Sequence, residues 1–132
     1  AYGDSDWLDR VPADDILVID CLGTVLSSVT ERFESSYTEL SDSVGGADSV
    51  RVTRAFNDEL DHIVEREGDT VIITNQVGDG LVPGFDSARL FRNQLGLAND
   101  RIVDAADAAY YVVCGRLVDL TSLPRSADWP ED

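Results

Sequence analysis

VIITNQVGDGLVPGFDSARLFRNQLGLANDRIVDAADAAYYVVCG, residues Val71 to Gly115, decides the fold. It reads as strand, polar glycine-bearing loop, arginine-bearing helix, alanine-rich helix and strand. The apolar run Val71, Ile72, Ile73 stops abruptly in Thr74, Asn75 and Gln76, followed by Gly78 and Gly80. A buried strand that ends in amides and glycines is how open α/β sheets build ligand crevices at their carboxyl edge.

Working outward, Ile16 to Cys21 (ILVIDC) is a second continuous apolar run, carrying a single acid, Asp20. Such a run suits a strand covered on both faces, as in a parallel sheet. Leu22, Val25, Leu26, Val29 and Phe33 follow near helical spacing, predicting a helix over Leu22 to Leu40. SDSVGGADS, Ser41 to Ser49, has loop composition. Val52, Ala55, Phe56, Leu60, Ile63 and Val64 mark one face of the next helix, which Gly68 and Asp69 end.

Pro83 and Gly84 precede a helix that Asp86 or Ser87 caps. Its apolar face runs through Phe91, Leu95, Ala98, Ile102 and Ala105, with Gly96 marking a break. Ala109 to Cys114 reads as a third strand, and Arg116 to Leu120 as a fourth, paired with it through a tight turn at Gly115. Ala1 to Asp14 is a polar connection anchored by Trp7 and Leu8, and Thr121 to Asp132 a polar tail.

Strands that alternate with helices predict an α/β class with a mainly parallel sheet and flanking helices. Under the right-handed crossover rule, Ile16–Cys21, Val71–Thr74 and Ala109–Cys114 are expected as parallel neighbours in one sheet, with Asp20 and Asn75 at the same edge. The 132 residues fit one domain.

Charge narrows the partners. Asp and Glu total 26 against 10 positive residues, all of them Arg, giving a net charge of −16 and no Lys. Such a surface repels nucleic acid and anionic membranes, and neither is expected as a partner. Adaptation to high salt, where self-repulsion is screened, is the preferred account of the bias; a high-GC genome favouring Arg, Ala, Gly and Asp would give a similar one.

Cys21 and Cys114 both fall in apolar runs and form neither a disulfide framework nor a metal cluster. They read as buried free thiols in a reducing cytoplasm. No stretch is long enough to span a membrane, and no signal peptide is visible. A chain that starts with Ala rather than Met is expected to be a trimmed or split product.

The chemistry-bearing residues cluster at the predicted strand ends. Asp20 closes its apolar run at the carboxyl edge, where a carboxylate holds Mg²⁺ or a ribose hydroxyl; its alternative role is to cap the next helix. Asn75 and Gln76 carry amides that orient water, phosphate oxygens or a base edge. Gly78 and Gly80 let the backbone approach a ligand. Arg89 and Arg92 stand three apart on one helical face, so they either clamp phosphates or form surface ion pairs. His62, the single histidine, sits on the flank of an amphipathic helix and reads as a surface residue. No phosphate-cradling loop ending in Gly-Lys-Ser or Gly-Lys-Thr is present.

Leu17-Val18-Ile19-Asp20-Cys21-Leu22, Thr74-Asn75-Gln76-Val77-Gly78-Asp79-Gly80-Leu81-Val82-Pro83, Ala88-Arg89-Leu90-Phe91-Arg92, Gly96, Asn99 with Arg101, Ala105-Ala106-Asp107 and Val112-Val113-Cys114-Gly115 follow one another in a specific order. That order resembles the adenosylcobinamide kinase / adenosylcobinamide-phosphate guanylyltransferase family of cobalamin biosynthesis, over roughly Asp14 to Leu120.

The resemblance implies a RecA-like P-loop α/β fold without its first strand–P-loop–helix unit. It also implies a nucleotide site over Asp20, Asn75, Gln76, Gly78, Arg89 and Arg92, with Mg²⁺ at Asp20 and GTP or ATP as nucleotide. Adenosylcobinamide is then the second substrate, and a trimer, or a partner chain supplying the amino-terminal portion, the expected assembly. The family's phosphate loop and guanylated histidine belong to that portion, so no catalytic residue is assigned here and the isolated chain is expected to be inactive.

Two positions depart from the family pattern: Gln76 stands where a glutamate is usual, and Asp100 where a glutamine is. A degenerate, non-catalytic relative that acts in binding or assembly is therefore the alternative. A second resemblance, of Asp20-Cys21-Leu22-Gly23-Thr24 to the opening motif of haloacid-dehalogenase-like phosphatases, ranks lower. Leu22 replaces the second aspartate of that motif, and the required lysine is missing.

Overall fold

The computed structural model describes residues 5–34 and 46–125. It is an α/β structure, with β1 (Leu17–Asp20), α1 (Leu22–Glu34), α2 (Gly46–Glu65), β2 (Thr70–Ile73), α3 (Asp86–Ala105), β3 (Tyr110–Val113) and β4 (Arg116–Asp119). A short 3₁₀ helix, Ser5–Arg10, precedes β1. The chain divides into two compact units, Ala1–Asn99 and Asp100–Asp132.

In the first unit β1 and β2 pair in parallel, Leu17 opposite Thr70 through Asp20 opposite Ile73. The core lies on one face of this pair. Leu17 and Ile19 of β1, Leu22, Val25, Leu26 and Val29 of α1, and Val52, Phe56, Leu60 and Ile63 of α2 are buried. The fourfold spacing of Val52, Phe56 and Leu60 keeps them on one side of α2, which is why that helix seats where it does. On the opposite face Val18, Val71 and Ile73 are exposed. Parallel strands ordinarily carry helices on both faces, so this face is open in an unusual way.

Two long-range ties set the register. Arg66 donates to the carbonyls of Pro12 and Asp15, each at 2.8 Å, and to that of Asp69 at 3.1 Å. The segments that enter β1 and β2 are thereby joined, and the Leu17 N–H reaches the Asp69 carbonyl at 2.9 Å. The Trp7 indole N–H donates to the buried carboxylate of Glu59 on α2, 52 positions away. A buried carboxylate needs such a donor, and Trp7 with buried Leu8 anchors the amino-terminal segment as expected.

Gly68 permits the turn into β2. Its φ is +98°, and an added Cβ would lie 2.1 Å from the backbone oxygen of Ala13. Gly68→Ala is expected to destabilise the chain by about 2 kcal/mol or more, through both the left-handed backbone and a clash that no rotamer relieves. Gly96, helical and with nothing within 4 Å of an added Cβ, is the comparator. Gly96→Ala is expected to stabilise by about 0.5–1 kcal/mol. Urea midpoints of the two variants check this; equal shifts would contradict it.

The second unit holds the end of α3 and the β3–β4 hairpin, antiparallel from Tyr110 opposite Asp119 to Val113 opposite Arg116. Cys114 (φ 50°) and Gly115 (φ 72°) make the turn, the left-handed pair that a two-residue hairpin connection requires. Arg125 meets Asp100 at 3.6 Å and Asp104 at 2.5 Å.

Four expectations are corrected. β3 is not a parallel neighbour of β1 and β2; among the described residues it bonds only to β4, whose antiparallel approach follows from the tight Cys114–Gly115 turn. Cys21 is half-buried and Cys114 exposed, so neither is a buried thiol, although both are free. Every residue of β3 is exposed, and the apolar run therefore does not shelter Cys114. The loop assigned to Ser41–Ser49 yields to helix from Gly46 onward, and α3 passes through Gly96 without a break. One glycine costs a helix only about 1 kcal/mol, which a 20-residue helix with buried Leu95 and Ala98 absorbs. The predicted continuation of α1 to Leu40 falls at 35–40, outside the described residues.

Candidate nucleotide site at the carboxyl edge of the parallel pair

Parallel pairing brings the ends of β1 and β2 to the same edge. Asp20 is the last residue of β1 and lies opposite Ile73, and Asn75 and Gln76 leave β2 two and three residues later. The shared edge expected for Asp20 and Asn75 is thus a consequence of register. Asp20 is exposed and stands next to Cys21, whose carbonyl accepts the Thr24 N–H at 3.0 Å to begin α1. The Cys21 thiol is 3.5 Å from the Thr24 hydroxyl. That hydrogen bond, with a second from the Thr24 backbone, draws the thiol pKa down against the opposing effects of burial and the Asp20 charge.

The loop after β2 is fastened to α3 at three points. Asn99 receives the Thr74 hydroxyl at 2.6 Å and donates its own amide to the Asn75 carbonyl at 3.0 Å. Arg92 donates to the Gly78 carbonyl. Arg89 donates to the carbonyls of Pro83 at 3.0 Å and Gly84 at 3.1 Å, and pairs with Asp86. Within the loop the Gly78 N–H reaches the Gln76 side-chain oxygen at 3.3 Å.

Gln76, Gly78 and Arg92 are therefore joined through direct bonds, Asn75 is held beside them by Asn99, Asp20 arrives at their edge through register, and Arg89 secures the far end of the loop. The two arginines, expected as phosphate clamps or surface ion pairs, each spend donors on backbone carbonyls. A guanidinium has five N–H groups, so Arg92 keeps further donors beside Gly78. Asn99 was missed as a site residue; its place in the Gly96–Asn99–Arg101 spacing was the available signal.

α1 adjoins α3 near this edge. An added Cβ on Gly23 would touch Phe91 at 3.5 Å and Leu95 at 3.7 Å. A cleft of about 290 Å³ between α1, α2 and α3 is lined by Leu26, Thr30, Val52, Ala88 and Phe91, and one of about 400 Å³ by Leu8, His62 and Arg66. Neither is lined by Asp20, Asn75, Gln76, Gly78, Arg89 or Arg92. His62 is exposed on α2, in keeping with a surface histidine.

Among the described residues no group of three His, Cys, Asp or Glu side chains could cage a metal. Asp20 alone suits Mg²⁺, which commonly takes one or two protein carboxylates and completes its shell with water and phosphate oxygens. No described helix is long and apolar enough to cross a membrane.

The model of the cobinamide kinase / cobinamide phosphate guanyltransferase family matches residues 5–120 of this chain. The bifunctional adenosylcobalamin biosynthesis protein CobU of Salmonella typhimurium is 30% identical to it over 112 residues. That match takes in 77% of this chain and 56% of the relative, so the chain spans little more than half the relative's length.

Proposed function

Because the chain belongs to the cobinamide kinase / cobinamide phosphate guanyltransferase family, we propose that it forms the larger part of a catalyst of two successive transfers in cobalamin biosynthesis. In the first, the hydroxyl of the aminopropanol arm of adenosylcobinamide attacks the γ-phosphorus of ATP or GTP. Its proton leaves, the bond to the departing diphosphate breaks, and cobinamide phosphate forms. In the second, a histidine attacks the α-phosphorus of GTP and releases pyrophosphate, and an oxygen of the new cobinamide phosphate then attacks that guanylyl phosphorus, forming a diphosphate link to GMP and freeing the histidine. The haloacid-dehalogenase-like alternative gives way to the family assignment.

The observation that carries this reading is the convergence of Asp20 and the Thr74–Gly78 turn at one edge of a parallel pair. There the side-chain amides of Asn75 and Gln76 orient a nucleotide by hydrogen bonds, Gly78 shapes the turn beneath them, and Arg92 places positive charge beside them. Arg89 holds the loop in shape, and Asp20 holds Mg²⁺. The metal, when bound, neutralises charge on the phosphate oxygens. The open apolar face of Val18, Val71 and Ile73 supports a segment outside this sequence, bringing a phosphate loop and a histidine, whether from the same polypeptide or a partner chain. A homotrimer in the cytoplasm is the assembly and location that go with this reading, and the two free cysteines are compatible with it.

Gln76 tests it. An amide keeps the size and reach of Glu but neither takes a proton at neutral pH nor binds Mg²⁺ strongly. GTP is expected to bind the chain weakly with little response to Mg²⁺. Gln76→Glu is expected to add Mg²⁺-dependent affinity of about tenfold, the scale of one charge-assisted contact. Calorimetric titration with and without Mg²⁺ reads both. If neither form binds GTP and Arg92→Ala alters only stability, the edge is structural and the non-catalytic relative replaces this reading.

A further inference from the structure

Asn99 of α3 uses both ends of its side-chain amide on the segment that leaves β2. The Asn75 carbonyl can only accept, so the Asn99 Nδ2 faces it, at 3.0 Å. The Asn99 Oδ1 then faces the Thr74 hydroxyl, which donates to it at 2.6 Å. Arg92 stands seven positions earlier, two turns back on the same face of α3, and donates to the Gly78 carbonyl. One helix face thus holds the backbone of the segment at two places.

A carbonyl cannot be fixed without fixing the N–H across its peptide bond. The 75–76 peptide is trans, so its C=O and N–H point in opposite directions. With the Asn75 carbonyl drawn to Asn99, the Gln76 N–H is turned away from Asn99. That N–H has no hydrogen-bond partner among the described residues, and Gln76 is exposed. An exposed N–H ordinarily bonds to water, which by itself marks nothing. What sets this one apart is that a side chain of another element fixes its direction. A guanidinium also stands at the Gly78 carbonyl, two residues on. A fixed donor beside positive charge selects an oxygen that carries negative charge. Asp20 at the same edge opposes that charge, and Mg²⁺ would offset it.

We propose that Asn99 is a positioning residue, which holds the Gln76 backbone N–H as a fixed donor to a phosphate oxygen of the nucleotide. The inference rests on the nucleotide reading above and adds to it a backbone contact and the side chain that aims it. Without Asn99 the 75–76 peptide is free to rotate in its exposed turn, and the donor has no set direction.

The test uses the isotope-labelled full chain with Mg²⁺, and inorganic triphosphate, guanosine and GTP as separate probes. The Gln76 amide proton is expected to move downfield with triphosphate and with GTP, and to stay in place with guanosine. Asn99→Leu, uncharged and of similar volume, removes both bonds. It is expected to weaken triphosphate binding about tenfold, the scale of one charge-assisted hydrogen bond, and to abolish the Gln76 shift. Asn99→Asp keeps an acceptor for Thr74 but sets a carboxylate oxygen against the Asn75 carbonyl, and is expected to weaken binding at least as much.

A merely structural amide would lower the urea midpoint and leave the affinity of the folded variants unchanged, and that result overturns the proposal. So does a parent Gln76 amide proton that follows guanosine but not triphosphate. If it follows no probe while GTP binds, this inference falls and the nucleotide reading stands. A Gln76 response to triphosphate with no tighter binding of GTP does the reverse, leaving a phosphate site without a nucleotide. A parent that binds neither overturns both. The parent titration needs no variant, so it decides the matter even where the substitutions prevent folding.

Discussion

Mixed with adenosylcobinamide, Mg²⁺ and ATP or GTP, the chain alone is expected to show no turnover. Adding a segment that carries a glycine-rich loop ending in Gly-Lys-Ser or Gly-Lys-Thr, and the family's histidine, is expected to raise the rate at least about a thousandfold. Phosphoryl transfer depends on positioned positive charge around the transferred group, and removing a single positioned donor from an acyl-transfer site already costs roughly 10²–10³ in rate. This chain has no Lys to supply that charge. The arginines at its candidate site spend donors on the Gly78, Pro83 and Gly84 carbonyls. The net charge of −16 opposes polyphosphate binding further.

Coupled assays for ADP release and for GMP transfer, on the chain alone and on the mixture, measure the difference. Turnover by the homogeneous chain would refute the division of labour proposed above. A mixture that stays silent while both parts fold and associate would favour the non-catalytic relative. The open face of Val18, Val71 and Ile73 provides an independent readout, since amide exchange along β2 should slow when the added segment covers it.

Phe56→Ala is expected to cost about 3–5 kcal/mol, a large share of the roughly 5–15 kcal/mol that stabilises a typical domain. Phe56 is 0% exposed and belongs to the α2 face that seats against α1. Truncation removes the transfer energy of an aromatic ring and leaves a cavity that neighbouring Leu and Val side chains fill only in part. Val50→Ala, on the same helix but 59% exposed, is expected to stay within about 0.5 kcal/mol of the parent. Urea unfolding followed by circular dichroism compares them. A Phe56→Ala loss under about 1 kcal/mol would mean that α2 does not pack as described.

Much of the site was legible before the structure. An apolar run ending in Asp20, and another ending in Thr74-Asn75-Gln76, are signals of period and composition. Parallel pairing of those runs suffices to put their last residues at one edge. The partners of Arg89 and Arg92 were less so. Their spacing of three places them on one helical face, but the path of the loop decides whether a guanidinium meets a ligand or a carbonyl. Asn99 was not assigned to the site for the same reason: a half-buried amide on a helix has no periodic signature of its own, and its bonds to Thr74 and Asn75 span about 25 positions.

By itself the sequence determined the alternation of strands and helices, the parallel partnership of β1 and β2, a tight turn at Gly115 between β3 and β4, and the edge on which Asp20 and Asn75 meet. Each follows from side-chain period or local backbone preference, which act over a few residues. Tertiary structure alone decided that, among the described residues, β3 bonds to β4 and not to the parallel pair, that Cys114 is exposed, and that Val18, Val71 and Ile73 are exposed on one face of β1 and β2. It also decided that Trp7 satisfies Glu59 and that Arg66 ties the two strand entries together. A continuous apolar run looks the same whatever lies beside it. Which backbone edge, carboxylate or carbonyl a group finally meets depends on contacts between distant segments, and no local pattern carries that information.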